Sequence, residues 1–310
     1  LDYLKELGID IIWLSPVYES PFVDQGYDIS DYYKIAEQFG TMDDFDTLVA
    51  EMKKHGMHLI MDLVVNHCSD KHEWFQKALA DPDGPYAGYF YFREGKDGKA
   101  PSNYRSYFGG SAWTKVPGTN KYYLHTFAKE QPDLNWENPV VREKIYEMIN
   151  WWLEKGVAGF RVDAITFIKK DLTFASRETE DGLRYPIENL TDYPGIGDFL
   201  AEMKEKCFDL HDCMTVAEAP GVGEETFRRY AGEHGYFSMI FDFTWENMEG
   251  EADKSSVEAV ERWKQRILKS QRFTSKIGWN GLFLENHDQS RCVNKYLEKD
   301  QIGYAGASAM

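Results

Sequence analysis

Gly159-Phe160-Arg161-Val162-Asp163 is the most informative stretch of the sequence, because this short apolar run ends in an arginine and a carboxylate two residues apart. Side chains on a β-strand alternate between its faces, so Arg161 and Asp163 share one face while Phe160 and Val162 share the other. A carboxylate beside a guanidinium keeps a low pKa and stays ionised at neutral pH, which suits a nucleophile. For this pentapeptide alone, a structural ion pair at a strand end is an alternative of equal weight.

Three other apolar runs also finish in side chains that can do chemistry. They end in Asn66-His67, in Glu218 and in His287-Asp288. In a parallel β/α barrel the C-terminal strand ends meet on one face, and active sites are built there. Burying unpaired charges costs several kcal/mol each, so three carboxylates and two histidines on one rim indicate function rather than packing.

The chain alternates strand and helix patterns, which predicts a parallel sheet wrapped by helices. Strands are predicted near 10–15, 58–66, 157–162, 213–218, 236–243 and 281–286. Helices are predicted at 1–7, from Thr41 to Gly56, from Asn138 to Gly156, near 196–208, near 256–269 and from Tyr304 onward. Residues 68–136 are too many for an ordinary loop and predict a small inserted β-rich domain, which leaves 1–67 and 137–310 for the barrel.

Five motifs carry a resemblance to the α-amylase family of glycoside hydrolases. They are DLVVNH at 62–67, QPDLN at 131–135, GFRVDAITF at 159–167, VAEAPG at 216–221 and ENHD at 285–288. The second motif is similar to the marker of the oligo-1,6-glucosidase branch, which includes α-glucosidases and trehalose-6-phosphate hydrolases. The stretches DQGYDISDY at 24–32 and PSNYRSYFGGSAW at 101–113 resemble the same branch.

The resemblance implies an α/β fold, a (β/α)8 TIM barrel with an inserted domain. Only six strands are predicted, so the first and eighth strands and the family's C-terminal β-domain are expected to be missing from these 310 residues. We therefore expect a fragment rather than a truncated natural variant, inactive and poorly soluble alone because open sheet edges expose unpaired backbone groups. The calcium loop that the branch carries after its first strand is not in the sequence, so no metal site and no other cofactor are predicted.

The resemblance also assigns the catalytic residues. Asp163 would be the nucleophile, Glu218 the acid/base and Asp288 the carboxylate that stabilises the oxocarbenium-like transition state. Retaining chemistry requires about 5–5.5 Å between the first two carboxyl groups, and we predict that spacing. Glu218 has only apolar neighbours in the chain, which predicts a raised pKa, whereas Arg161 is expected to keep Asp163 ionised.

Other residues are implied as contacts to the terminal glucose and the leaving sugar. Asp24 and Tyr27 would bond the 4- and 6-hydroxyls and stack on the ring, and His67 and His287 would bond ring hydroxyls. The remaining substrate-binding candidates are Phe108, Phe127, Gln131 and Arg161. Asp62 is expected to brace Arg161 rather than to touch substrate.

Composition narrows the partners and the compartment. The net charge of −17 argues against nucleic acid and anionic membrane surfaces, and is mildly unfavourable for a phosphorylated substrate. The four cysteines show neither metal-ligand nor disulfide spacing, which favours a reducing cytoplasm, and no apolar stretch reaches the roughly 18 residues of a membrane span. We expect an oligosaccharide partner, and the sequence indicates nothing about oligomeric state.

The predicted function is a retaining, exo-acting α-glucosidase that releases terminal α-linked glucose from short oligosaccharides. Trehalose-6-phosphate hydrolase and sucrose isomerase are the alternatives within the family, and an endo-acting amylase is disfavoured because the aromatic-rich insertion indicates a closed pocket. The catalytically dead ectodomain of transporter heavy chains is a remote alternative, because all three carboxylates are present. Ala164 follows the nucleophile where α-1,6-specific relatives have valine, so maltose-type substrates are expected to be cleaved at least as well as isomaltose.

Overall fold

The computed structural model of the protein describes residues 1–184, 193–243, 256–296 and 303. The chain divides into two compact units, Leu1–Glu218 and Ala219–Met310. The helix predicted from Tyr304 lies outside the described residues. Within the described ranges, no helix has the length and apolar character needed to cross a membrane.

The first unit holds most of the regular structure. In chain order its elements are α1 (Asp2–Glu6), β1 (Ile11–Leu14), β2 (Tyr18–Glu19), β3 (Asp31–Ile35), α2 (Met42–Lys54), β4 (His58–Val64), α3 (Glu73–Ala80), β5 (Phe92–Glu94), β6 (Trp113–Lys115), β7 (Lys121–Leu124), α4 (Pro139–Glu154), β8 (Gly159–Asp163), α5 (Ile196–Lys206) and β9 (Met214–Ala217). The strands predicted at 10–15, 58–66, 157–162 and 213–218 are confirmed, whereas the antiparallel pair β2–β3 was not predicted.

The parallel sheet of the first unit has the strand order β1-β4-β8-β9. Its register places Asp62 opposite Arg161 and Arg161 opposite Val216. Parallel neighbours require crossover connections, and helices α2, α4 and α5 lie between the successive strands of this sheet. A parallel sheet connected in this way is consistent with part of a β/α barrel.

Two helices begin where the sequence predicts. The Thr41 side chain accepts from the backbone N–H of Asp44, which in turn caps Thr41, so a capping box starts α2. Asn138 caps α4 and Pro139 occupies its first turn, where the missing N–H costs nothing. The predicted apolar face of α4 is buried, and its members are Val141, Ile145, Met148, Ile149 and Trp152.

The segment 68–136 contains helix α3 and a three-stranded antiparallel sheet of order β5-β7-β6. Its aromatic and apolar side chains form a buried cluster, whose members are Tyr91, Tyr104, Ala112, Trp113, Tyr122, Leu124 and Phe174. Phe174 comes from the chain after β8, so that loop is packed into this segment. The separation of 68–136 as a domain of its own stays a prediction.

The second unit contains α6 (Glu224–Tyr230), β10 (Met239–Phe241), α7 (Val257–Thr274), β11 (Trp279–Gly281) and α8 (Cys292–Tyr296) among its described residues. Strands β10 and β11 pair in parallel. The strand predicted at 281–286 is wrong, because β11 ends at Gly281. Gly281 pairs with Phe241, the last residue of β10. The apolar residues from Leu282 onward therefore have no partner residues in β10.

Candidate active site

The end of β8 sets two charged side chains on one face of the sheet. Gly159 makes the strand's close approach to β9 possible: its φ is +145°, and a Cβ there would lie 1.7 Å from the Met214 carbonyl oxygen. Arg161 is 2% exposed and Asp163 8% exposed. The Arg161 Nη1 donates to Asp163 Oδ1, so the predicted pairing of these two side chains is present.

The Arg161 guanidinium contacts three carboxylates. Besides Asp163, Arg161 donates from Nη1 to Asp62 Oδ1 at 2.9 Å, and its Nη2 lies 3.2 Å from Glu218 Oε2. The Ala164 backbone N–H also donates to Glu218 Oε2, at 3.0 Å. Two excess negative charges remain if all three carboxylates are ionised. We call these four side chains, Asp62, Arg161, Asp163 and Glu218, the Arg161 cluster.

The prediction that Arg161 keeps the pKa of Asp163 low is wrong. Burial raises the pKa of the Asp163 carboxyl well above its ordinary value; Arg161 opposes this, and the negative charges of Glu218 and Asp62 add to the rise. Glu218 is not in an apolar setting, since it contacts the same guanidinium as Asp163. The prediction of an apolar setting for Glu218 was wrong because Glu218 is far from Arg161 in sequence, and no local pattern predicts their contact.

Asp62 holds the cluster to the neighbouring loops. Its carboxylate accepts from Trp13 Nε1 at 3.1 Å and from the Tyr27 hydroxyl at 2.8 Å, in addition to Arg161. The predicted bracing role of Asp62 therefore fits its contacts. Tyr27 is 7% exposed, and its ring centroid lies 5.8 Å from the guanidinium carbon.

The loop that carries Asp24 and Tyr27 is anchored by Asp28, which is fully buried. The Asp28 carboxylate accepts from the backbone N–H of Val23 at 3.1 Å and of Asp24 at 3.0 Å, and from the Ser20 hydroxyl at 3.1 Å. Three hydrogen bonds to one carboxylate fix the turn, so Asp24 is held in place by its own backbone. Asp24 is partly buried.

Gln131 connects Asp24 to the segment 68–136. Its Oε1 accepts from the Ala128 N–H at 3.0 Å, which leaves Nε2 to donate to Asp24 Oδ2 at 2.9 Å. Gln131 Nε2 also lies 3.2 Å from His67 Nε2. The structure thus brings three predicted substrate-binding residues, Asp24, His67 and Gln131, into one contiguous set.

Aromatic side chains form one wall beside this set. The Phe127 ring lies 5.2 Å from the His67 ring and 5.6 Å from the Phe108 ring, between centroids. Phe108 is 59% exposed, whereas Phe127 is half-buried. A large exposed aromatic beside a polar cluster is suited to contact a sugar face, because the ring offers an apolar surface at low entropy cost.

Lys170, Asp133 and Asn66 form a second buried polar group, in which the sequence pointed to Asn66 and Asp133 through their motifs but not to Lys170. Lys170 Nζ lies 2.8 Å from Asp133 Oδ2 and donates to Asn66 Oδ1 at 2.8 Å. The Asn66 amide in turn lies 3.2 Å from His67 Nδ1. Lys170 is 104 residues from Asn66 in the chain, and Asp133 is 67 residues from Asn66, so no local pattern could have revealed the group.

The predicted residues His287 and Asp288 lie in the second unit, beyond the end of β11. His287 Nε2 is 3.3 Å from Asp288 Oδ2, and the Asp288 side chain is 61% exposed. The Asp288 backbone N–H donates to Asn286 Oδ1 at 3.0 Å, which forms a turn. The expectation that these two residues end a strand is therefore wrong, since the strand stops at Gly281.

No group of three or more His, Cys, Asp or Glu side chains within the described ranges is arranged to hold a metal ion. The four cysteines carry no disulfide, and Cys68 and Cys207 are buried. The charged groups of the Arg161 cluster are three carboxylates and one guanidinium.

Comparison with known proteins identifies the family of the chain and several relatives. Residues 1–307 match the alpha amylase catalytic domain family. The oligo-1,6-glucosidase of Halalkalibacterium halodurans is 48% identical over 303 residues, which are 96% of this chain and 54% of that protein. The chain spans about half the length of the curated relatives it matches.

Solved structures of similar sequence agree in fold. The trehalose-6-phosphate hydrolase of Bacillus licheniformis is 41% identical with a TM-score of 0.85, over 95% of this chain and 54% of that one. The isomaltulose synthase of Protaminobacter rubrum is 41% identical with a TM-score of 0.86, over 95% of this chain and 53% of that one. Similarity of this kind covers proteins with several different reactions.

Proposed function

The chain belongs to the α-amylase family of glycoside hydrolases, and from that premise we propose that it is the catalytic part of a retaining, exo-acting α-glucosidase. The substrate would be a short oligosaccharide with a terminal α-linked glucose, joined by an α-1,4 or an α-1,6 bond. Oligo-1,6-glucosidases among the relatives support this class. The inserted domain at 68–136 and a cytoplasmic location are parts of the same proposal.

The observation that carries the proposal is the placement of Asp163 and Glu218 on one guanidinium. Asp163 contacts Nη1 of Arg161, and Glu218 contacts Nη2. Two carboxylates on adjacent nitrogens of one planar group are held close together, as retention requires, because the second carboxylate must reach the anomeric carbon itself. We therefore keep the predicted separation of about 5–5.5 Å between the carboxyl groups.

In this mechanism Asp163 attacks the anomeric carbon and forms a covalent glucosyl ester as the leaving oxygen departs. Glu218 gives its proton to that oxygen, and afterwards takes a proton from the water that hydrolyses the ester. Arg161 stabilises the negative charge of the carboxylates between these steps. Asp288 is proposed as the third carboxylate, which would stabilise positive charge on the ring carbon and bond sugar hydroxyls.

The contacts of Asp24, Gln131 and His67 fit recognition of a sugar hydroxyl. The Asp24 carboxylate is an acceptor, and the Gln131 amide beside it is a donor. A hydroxyl group donates one hydrogen bond and accepts others, so an adjacent donor and acceptor satisfy it. The remaining proposed substrate contacts are Tyr27, Phe108, Phe127, Arg161 and His287.

Trapping the covalent intermediate tests the proposal directly. The full-length protein is treated with 5-fluoro-α-glucosyl fluoride, which slows hydrolysis of the ester, and the labelled peptide is identified by mass spectrometry. We expect the label on Asp163 and retention of the α configuration in the product of maltose or isomaltose hydrolysis. A β-configured product, or a label on another residue, would refute the assignment.

Trehalose-6-phosphate hydrolysis is the second candidate, because a solved structure with that activity matches the chain closely. Against it, the two buried cations of the first unit's polar clusters are already paired, Arg161 with three carboxylates and Lys170 with Asp133. Sucrose isomerisation is supported by the match to the isomaltulose synthase. Rates and products with maltose, isomaltose, sucrose and trehalose 6-phosphate decide among the three.

A further inference from the structure

Lys170 is an ammonium group buried next to the proposed sugar-binding residues. It is 4% exposed, and its Nζ contacts Asp133 Oδ2 at 2.8 Å, Asn66 Oδ1 at 2.8 Å and the Phe167 carbonyl oxygen at 2.6 Å. An ammonium group has three protons, so these three acceptors use all of them. Asp133 is held in turn by Thr126, whose backbone N–H donates to Asp133 Oδ1 at 2.9 Å.

The charge on Lys170 fixes which way the Asn66 side chain faces. An ammonium group can only donate, so the Asn66 atom that meets it must be the amide oxygen. The amide nitrogen of Asn66 then points to the other side, where it lies 3.2 Å from His67 Nδ1. An amide nitrogen can only donate, so Nδ1 of His67 must be the acceptor and carries no proton.

The proton of the neutral His67 ring is therefore on Nε2. Nε2 lies 3.2 Å from the Tyr27 backbone carbonyl oxygen, which accepts it, and also 3.2 Å from Gln131 Nε2. The Gln131 contact is not a hydrogen bond in this tautomer, because both nitrogens carry protons, whereas the opposite tautomer would lose the hydrogen bonds with both Asn66 and Tyr27. Burial lowers the pKa of His67 to about 4; Asp133 opposes this effect, and Lys170 adds to it. A second ring proton would sit on Nδ1 and face the N–H group of Asn66, so the cation is disfavoured by geometry as well as by burial.

We propose that Lys170 is a positioning residue, which acts through Asn66 to hold His67 as its Nε2–H tautomer beside Asp24 and Gln131. The proposal rests on the proposed function, in which His67 contacts a hydroxyl of the terminal glucose. Gln131 Nε2 and His67 Nε2–H are then two neighbouring donors to one sugar hydroxyl oxygen, and His67 would share its single proton between that oxygen and the Tyr27 carbonyl. The opposite tautomer would offer that hydroxyl a lone pair in place of a proton.

The tautomer can be measured without any activity. The full-length protein is labelled with ring-13C histidine, and the chemical shift of the His67 Cδ2 carbon, assigned with His67→Gln, distinguishes the two tautomers. We expect the Nε2–H form in the unsubstituted protein. In Asn66→Asp, an oxygen faces Nδ1, so we expect His67 to change to the Nδ1–H form or to the cation.

Asn150→Asp is the matched control, because Asn150 also contacts a histidine, with its Oδ1 3.0 Å from His211 Nε2. This variant should leave the His67 shift and the activity unchanged. Asn66→Asp should reduce kcat/KM on α-glucosides by about 10- to 100-fold, since a misplaced hydrogen bond near the reacting centre costs on that order.

The role of Lys170 itself is tested with the double variant Lys170→Met/Asp133→Asn, which removes both charges and leaves no uncompensated ion. Without the ammonium, the Asn66 amide can turn, and we expect a mixture of His67 tautomers. Retention of the pure Nε2–H form in the double variant would overturn the proposal, as would an Nδ1–H form in the unsubstituted protein. An unaltered His67 shift in Asn66→Asp would also overturn it. If the unsubstituted protein had no glucosidase activity but the His67 chemical shifts were as expected, only the proposed function would be refuted.

Discussion

Two buried ionic groups in the first unit are built differently, and the difference separates chemistry from positioning. The Arg161 cluster puts three carboxylates on one guanidinium, and Arg161 Nε is buried and has no hydrogen-bond partner among the residues that the structure describes. The Lys170 cluster, which comprises Lys170, Asp133 and Asn66, pairs one ammonium with one carboxylate and uses every ammonium proton.

The charge balance of each cluster decides what it can do. In the Arg161 cluster, ionising a further carboxylate works against burial and against the negative charge already present, so the pKa of Asp163 is raised. The raised pKa of Asp163 favours its protonated form compared with an exposed aspartate. The Lys170 cluster has one positive and one negative charge, and the Lys170 ammonium group donates all of its hydrogen bonds. The cluster therefore holds the side chains around it in fixed positions.

Asp163→Asn should give the largest effect. We expect kcat/KM on 4-nitrophenyl α-glucoside to fall on the order of 10⁴-fold or more, because the nucleophile is lost. The same variant should be more stable than the unsubstituted protein near neutral pH. The raised folded pKa of Asp163 means that its ionised form costs stability above the unfolded pKa, and this cost disappears as pH falls below it.

Thermal unfolding at several pH values measures the gain in stability of Asp163→Asn. The difference in melting temperature should shrink toward acidic pH. Asp209→Asn, at an exposed ion pair with Lys204, serves as the control and should change neither quantity appreciably. A destabilised Asp163→Asn variant at neutral pH would contradict the picture of excess negative charge in the Arg161 cluster.

Lys170→Met should have the opposite effect on stability. Removing one partner of a buried ion pair leaves Asp133 uncompensated, and we expect a loss of about 3–5 kcal/mol in the free energy of unfolding. Adding Asp133→Asn should recover a large part of the loss. Urea unfolding measures the free energy of unfolding of the single and double variants. Equal losses in the two would show that the uncompensated charge of Asp133 is not the cause of the destabilisation.

The pH dependence of activity gives a smaller and sharper test. Asp163 must be ionised to attack, so kcat/KM should fall as pH decreases through its raised pKa. The Glu218 charge contributes to that rise, so Glu218→Gln should move the acid limb to lower pH. α-Glucosyl fluoride is the substrate to use, because its leaving group needs no proton from Glu218.

Glu202→Gln is the matched control for the pH experiment. Glu202 is bonded to Arg142, with its Oε2 2.6 Å from Nε, outside the Arg161 cluster. Its substitution should leave the acid limb in place. An acid limb that stays fixed in Glu218→Gln would mean that the two carboxylates do not influence each other.

Ala164→Val should have the smallest effect. Ala164 is buried, and its N–H donates to Glu218, so its side chain lies at the edge of the Arg161 cluster. A larger side chain there is expected to lower the ratio of kcat/KM for maltose to kcat/KM for isomaltose. The corresponding change in activation free energy is on the order of 1–3 kcal/mol. An unchanged ratio would mean that Ala164 only packs.

Backbone strain has to be separated from that effect. Ala164 has φ +43°, a left-handed conformation that a β-branched residue adopts poorly, so Ala164→Val should also be less stable. Strain affects both substrates alike and cancels in the ratio of their rates. Ala164→Gly relieves the strain without adding volume, and it should leave the ratio unchanged.

Local patterns predicted the elements well where the periodicity was strong and the caps were present. The starts of α2 and α4 followed from Thr41 and from Asn138-Pro139. The strand at 281–286 failed because an apolar run indicates burial but not a partner, and the pairing of Gly281 with Phe241 ended β11 early. The elements β2, β3, α6 and α8 were not predicted, and β2, with two residues, is too short to show a period.

That Arg161 and Asp163 share a face follows from the sequence alone, because the alternation along a strand is a property of the backbone. The sequence also put Asp163 and Glu218 at the ends of strands, whereas its placement of Asp288 at a strand end was wrong. Tertiary contacts alone determine that Glu218 shares that guanidinium, that Asp62 meets it from 99 residues away, and that Lys170 orients Asn66. Charge and hydrogen-bond direction depend on distance in space, and chain separation does not encode that distance.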